Sequence, residues 1–210
     1  MKNILLIGGS TGIGYELSQK LKEDNNLFIA TRDKEKFNDT NIKTNDLNLD
    51  LDFETDWLPD HIDGFVYLPG TINLRPFKGL KPSVFLEDFK INVMGCIEIL
   101  QQVLPKIQAA KNPSIVMFST VAVKLGMPFH SSVSSSKGAI EGLTKALAAE
   151  FAPKIRVNSI APSILKTPMS EKFLNSETKL DNAKNRHPLK EIGSPEDISE
   201  VVKFLLEDNS

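Results

Sequence analysis

The chain has 210 residues, long enough for one α/β domain with a full apolar core and no need of a metal or disulfide staple. With 25 Lys+Arg against 27 Asp+Glu its net charge is −2, which gives no global pull toward nucleic acid or anionic lipid. One cysteine (Cys96) and three histidines without ligand spacing exclude a disulfide framework and a zinc site, and fit a reducing, cytoplasmic setting.

The first element is a strand over residues 3–7, the apolar run Ile4-Leu5-Leu6-Ile7. It is far short of the roughly 18 residues of a membrane span. Gly8-Gly9 ends it where a secretion signal would continue apolar. Ile13, Leu17 and Leu21 then mark one face of a helix. Strands follow over 27–31 and, weakly, 42–44; the stretch after Asp46 is polar and loop-like. A strand over 64–68 precedes a long helix whose stripe is Phe85, Phe89, Val93, Ile97, Leu100 and Leu104. Residues 114–119 form the next strand, and Ile140, Leu143, Leu147 and Phe151 the next helix face. A last strand spans 155–160, and residues 161–193, not regular throughout, form a candidate substrate loop. Ser194-Pro195-Glu196-Asp197 opens the final helix with a good N-cap, a first-turn proline and an acidic pair suited to the helix dipole. Continuous apolar strands alternating with amphipathic helices predict a Rossmann-type, doubly wound parallel sheet in a single domain, residues 1–210.

The turn between the first strand and first helix is Gly8-Gly9-Ser10-Thr11-Gly12-Ile13-Gly14. Glycines there let the backbone approach a pyrophosphate, and the helix N-terminus supplies free N–H donors and partial positive charge. An acid at the end of the second strand would bond a free ribose hydroxyl and repel a 2′-phosphate. Here the strand ends Ala30-Thr31-Arg32, with an uncharged residue and then a planar donor fork. NADP is the expected coenzyme, with Asp33 as the counter-signal.

These residues identify the chain as resembling a short-chain dehydrogenase/reductase over nearly its whole length. Gly8, Gly12 and Gly14 match that family's coenzyme loop, with Ser10, Thr11 and Ile13 between them. Asp50-Leu51 resembles its adenine-contacting pair, and Gly70 in Leu68-Pro69-Gly70 the glycine of its Asn-Ala-Gly turn. Asn92 matches the family's helix asparagine, and Thr120 its catalytic serine position. Pro162, Thr167 and their neighbours resemble the segment over the nicotinamide, with Ser163 in place of the usual glycine. The resemblance implies an oxidoreductase of a small carbonyl or alcohol and a homodimer or homotetramer. The stripe Gly138, Gly142, Ala146 and Ala149 suits close helix pairing. The near-neutral charge and the lack of a basic stripe or long apolar run predict no nucleic-acid or membrane partner. The resemblance implies a further parallel strand beyond residue 210, so either a truncated chain or an open sheet edge is expected.

The active site departs from the pattern. The family uses a tyrosine four residues before a lysine, sharing one helix face so that the ammonium lowers the phenol pKa. Lys137 has the right context in Ser134-Ser135-Ser136-Lys137-Gly138-Ala139, but Val133 stands in the tyrosine's place. A lost proton donor costs about 10²–10⁴ in rate. A substitute acid is one outcome: His130, Ser134, or a water held by Lys137 and Asn92. A substrate that needs no strong acid is another. The third is an inactive coenzyme-binding protein, a sensor or partner subunit.

Overall fold

Strand β1 (Lys2–Ile7) buries every side chain after Lys2, because helices cover both of its faces. Leu5 and Ile7 join one apolar cluster, Ile4 and Leu6 the other, as the two-residue strand period requires. In the computed structural model, which describes residues 1–37, 39 and 41–207, six parallel strands form one sheet. They are β1, β2 (Asn25–Thr31), β3 (Ile42–Asp46), β4 (Gly64–Tyr67), β5 (Ser114–Phe118) and β6 (Arg156–Ile160), in the order β3-β2-β1-β4-β5-β6. This is the expected doubly wound architecture. The strand order reverses between β1 and β4, which opens a crevice at their carboxyl ends.

Eight helices flank the sheet among the described residues: α1 (Gly12–Leu21), α2 (Pro82–Phe89), α3 (Gly95–Gln108), α4 (Ala122–Leu125), α5 (Ser131–Phe151), α6 (Glu171–Leu174), α7 (Glu177–Asn185) and α8 (Pro195–Glu207). Leu17 and Leu21 of α1 and Val202 and Leu206 of α8 cover the face of Ile4 and Leu6. Ile99 and Val103 of α3 and Ile140 of α5 cover the face of Leu5 and Ile7. The α8 cap is as expected: Ser194 Oγ accepts the Asp197 N–H at 3.3 Å, and Asp197 Oδ2 accepts the Ser194 N–H at 2.8 Å.

Residues 161–193 mix irregular chain with a short 3₁₀ turn and helices α6 and α7, the latter capped by Ser176 Oγ. One expectation changes: the long helix is not uniform. A π-helical segment, Lys90–Met94, joins α2 to α3. Its wider turn rotates the two helices out of a common 3.6-residue phase, by about 100° for one extra residue. The predicted stripe therefore holds on α3, where Leu100 is buried, and fails on α2, where Phe89 is 39% exposed. The face that α2 buries instead carries Asp88, at 0% exposure.

Candidate active site

One cavity of about 1880 Å³ runs along the carboxyl ends of the strands, from the glycine turn to α7. At its first end Gly8, Gly9 and Gly12 have φ of +84°, +125° and +56°, a region that side chains rarely tolerate. Gly14 is a glycine for a different reason: a Cβ there would stand 2.4 Å from Gly9 Cα. The turn thus folds onto the first residues of α1, whose first turn has no acidic side chain. Ser10, Thr11 and Ile13 line the same space, and Thr167 lies over it, its Cγ2 3.3 Å from where a Gly12 Cβ would be. A concave row of main-chain donors without side chains fits a diphosphate.

At the end of β2, Thr31 is buried and Arg32 lines the cavity. Asp33 pairs at 3.4 Å with Lys36, whose ammonium also donates to the Ser10 carbonyl at 3.0 Å. Two cations therefore flank this corner. The two residues expected at the adenine differ in placement. Asp50 lines the cavity but is ion-paired to Lys90, while Leu51 is 69% exposed and lies outside the cavity lining. The acidic–apolar pair at the end of β3 is Asp46-Leu47, four residues earlier, and Leu47 lines the cavity. The weak strand prediction stopped at residue 44, so its end could not select that pair.

Midway, the turn after β4 meets α5. A Cβ on Gly70 would stand 3.1 Å from Asn92 Oδ1 and 3.5 Å from Lys137 Nζ, so these three groups adjoin. Asn92 is fully buried within the π segment. Its Oδ1 accepts the Thr71 N–H at 3.2 Å, and its Nδ2 contacts the Asp88 carbonyl at 2.8 Å and Thr71 Oγ1 at 3.0 Å. Asn92 does not line the cavity; it holds the 70–73 turn against the helix. Behind it, Asp88 accepts hydrogen bonds from Thr71 Oγ1, Asn73 Nδ2 and Ser132 Oγ. The sequence reading missed Asp88, because it falls on the helix face that the π segment turns inward.

Burial lowers the Lys137 ammonium to about 8, against the partial restoring pull of Cys96 and Asp88. The unfolded chain therefore binds more protons than the folded one between about 8 and the ordinary 10.5. Lys137 thus makes stability rise with pH across that window. Urea denaturation of wild type and Lys137→Met should diverge there, with the wild type gaining relative to the variant. Equal pH slopes would show that the ammonium is not desolvated.

Thr120 lines the cavity beyond Lys137, its Oγ1 accepting the Ala122 N–H at 3.3 Å, which leaves its proton free to face the cavity. Val133, 5% exposed, lines the wall four residues before Lys137. Neither tyrosine substitutes for it. The Tyr67 hydroxyl donates to the Ile91 carbonyl at 2.6 Å, and burial pushes its phenol above the ordinary range. Tyr15 packs against Phe37. Burial also pushes the Cys96 thiol up to about 12, which leaves it inert. His130 lines the cavity at the start of α5, its Nδ1 2.7 Å from the Pro128 carbonyl. Ser134 is not among the lining residues.

The far end holds a pair that the sequence reading did not propose. His187 Nε2 is 2.8 Å from Ser163 Oγ, and its Nδ1 is 2.9 Å from the Ala183 carbonyl. Both residues line the cavity. The available signal was Ser163 itself, a hydroxyl where the family pattern has glycine. His187 lies 24 residues on and only the tertiary fold joins them.

Fold and cavity together define a Rossmann-type protein with a dinucleotide-shaped cleft. Residues 51–210 match the family profile described as enoyl-(acyl carrier protein) reductase. A 3-oxoacyl-[acyl-carrier-protein] reductase, FabG, of Thermotoga maritima is 37% identical over 121 residues, covering 57% of this chain and 48% of that relative. The chain thus aligns with about half the length of that reductase. Cyclopentanol dehydrogenase of a Comamonas species is 26% identical over the whole chain and 91% of the relative. The solved structure of ElxO with NADP bound superposes with a TM-score of 0.86 at 27% identity, covering 100% of this chain and 93% of ElxO. The chain belongs to the short-chain dehydrogenase/reductase family. Among the described residues, no helix is long and apolar enough to cross a membrane.

Proposed function

We propose that this chain is an NADP(H)-dependent oxidoreductase that interconverts a small carbonyl compound and its alcohol. The observation that carries the reading is one continuous cavity reaching from the glycine turn, past Arg32 and Lys137, to Thr120. The family's coenzyme fits the residues present. Gly8, Ser10, Thr11, Gly12, Ile13 and Gly14 would seat the diphosphate, and Arg32 the 2′-phosphate. Leu47 and Asp50 would flank the adenine, Gly70 and Lys137 the nicotinamide ribose, and Pro162 and Thr167 the nicotinamide. When bound, this coenzyme supplies or removes the electron pair of the carbonyl–alcohol interconversion.

The chain's own residues do the rest. Lys137 places positive charge beside the ribose, held against Gly70 while Asn92 fixes the turn. The Thr120 hydroxyl polarises the substrate oxygen. Val133 carries no proton, so the donor must come from elsewhere on the cavity wall. Self-association through the solvent-facing Gly142, Ala146 and Ala149 of α5 belongs to the same reading and is checked by light scattering.

Fluorescence titration with NADPH and NADH tests the coenzyme, and a panel of aldehydes and ketones tests turnover. NADPH should bind at least tenfold tighter than NADH. Arg32→Glu should remove that preference, since an acid there repels the 2′-phosphate. Equal binding of the two coenzymes to the wild type would overturn the NADP assignment. A coenzyme-binding protein without turnover is the second reading, favoured by Val133 at the proton donor's place. It predicts NADPH binding with no carbonyl-dependent oxidation.

A further inference from the structure

We propose that Ser163 and His187 form the proton relay that replaces the missing tyrosine, an inference that rests on the oxidoreductase reading above. The tautomer follows from the contacts. A carbonyl only accepts, so His187 Nδ1 carries the hydrogen that meets the Ala183 oxygen at 2.9 Å. Nε2 then has its lone pair toward Ser163 Oγ, 2.8 Å away, and accepts that hydroxyl's proton. A base oriented by a third group and bonded to a hydroxyl in a cleft is the arrangement that moves protons.

The chain path brings Ser163 toward Thr120. Phe118 of β5 is in register with Ile160 of β6, and just beyond both strands the Val121 N–H donates to the Pro162 carbonyl at 3.2 Å. Ser163 is therefore the next residue after a direct main-chain link to the neighbour of Thr120. Thr120, Val133, Lys137, Ser163 and His187 line one cavity.

Contacts decide between the two cavity histidines. His187 Nε2 meets a hydroxyl, Ser163 Oγ, at 2.8 Å, whereas the contact of His130 is Nδ1 with the Pro128 carbonyl, which has no proton to relay.

In carbonyl reduction, the carbonyl carbon gains a hydrogen with its electron pair from the reduced nicotinamide dinucleotide, and the C=O π bond opens. The substrate oxygen takes the Ser163 Oγ proton. Ser163 Oγ recovers one from imidazolium Nε2, leaving neutral His187, which is reprotonated from water. Alcohol oxidation runs the same transfers backward and starts from the neutral tautomer assigned above.

The experiment uses the full chain with Ser163→Ala, His187→Gln, the double variant, and Val133→Tyr added to Ser163→Ala. Nitrogen NMR of ¹⁵N-histidine protein, without coenzyme, should show His187 as the Nδ1–H tautomer, with an Nε2 resonance that shifts in Ser163→Ala. NADPH affinity should stay within twofold in the single variants. With 4-nitrobenzaldehyde, cyclohexanone and 2,3-butanedione as probes, kcat should fall about 10- to 100-fold in each single variant. The double variant should be no worse, since the two act as a unit. Val133→Tyr should return most of the loss in the Ser163→Ala background. An Nε2–H tautomer, an unshifted resonance, an undiminished kcat, or a loss in His130→Gln but not in His187→Gln overturns the relay. NADPH binding without turnover on any probe also overturns it while sparing the coenzyme assignment. No NADPH binding at all defeats the oxidoreductase reading itself.

Discussion

Gly14→Ala is expected to weaken NADPH binding by about 100-fold or more while leaving the chain folded. The added Cβ would stand 2.4 Å from Gly9 Cα and 3.1 Å from Gly9 N, so main chain must move. Leu68 Cδ1, at 3.0 Å, closes the remaining side. Overpacking of this kind costs about 1–3 kcal/mol. Two escapes exist: Gly9 shifts, or the start of α1 withdraws. Either displaces N–H groups that must converge on one diphosphate, so the cost reappears as lost affinity. Fluorescence titration gives the affinity, and circular dichroism with urea melting gives the fold. Tight binding by a folded Gly14→Ala chain would show that the turn is not the diphosphate cradle. Gly142 is the contrasting site: a Cβ there meets nothing within 4 Å, so Gly142→Ala should leave binding untouched.

Asp88→Ala should destabilise the chain by about 3–5 kcal/mol, because it removes a fully buried carboxylate that three donors share. Thr71 and Asn73 give part-buried hydrogen bonds to one carboxylate oxygen, and Ser132 gives a buried one to the other. Alanine leaves these groups unpaired and adds a cavity. Asp88→Asn should cost much less. Its carbonyl can keep Thr71 and Asn73, and the Ser132 hydroxyl can turn to accept from the new amide. Urea denaturation of the two variants measures the difference. Equal losses would mean that charge, not donor satisfaction, holds the cluster. Function should follow stability here, since Thr71 also bonds Asn92, which adjoins Gly70 and Lys137.

Much of the fold was legible because strands buried on both faces must be continuous apolar runs. All six were found within two or three residues of their ends. The errors have definite causes. The weak β3 strand is polar along Lys43-Thr44-Asn45-Asp46, so its end was placed two residues early, at 44 rather than 46. The stripe through Phe85 and Phe89 assumed one uninterrupted helix. The π segment breaks that phase, exposes Phe89 and turns Asp88 inward. Nothing in residue spacing announces an extra residue within a helical turn.

The sequence by itself determined the layered parallel architecture, the glycine turn and the lysine without its tyrosine. These are local properties: periodicity, backbone freedom and the identity of residues one helical turn apart. Only the tertiary structure decided which polar groups meet. Asp88 gathers donors from the 70–73 turn and α5, and Ser163 meets His187 from the segment after α7, because packing brings distant segments within hydrogen-bond range and no sequence spacing encodes that range.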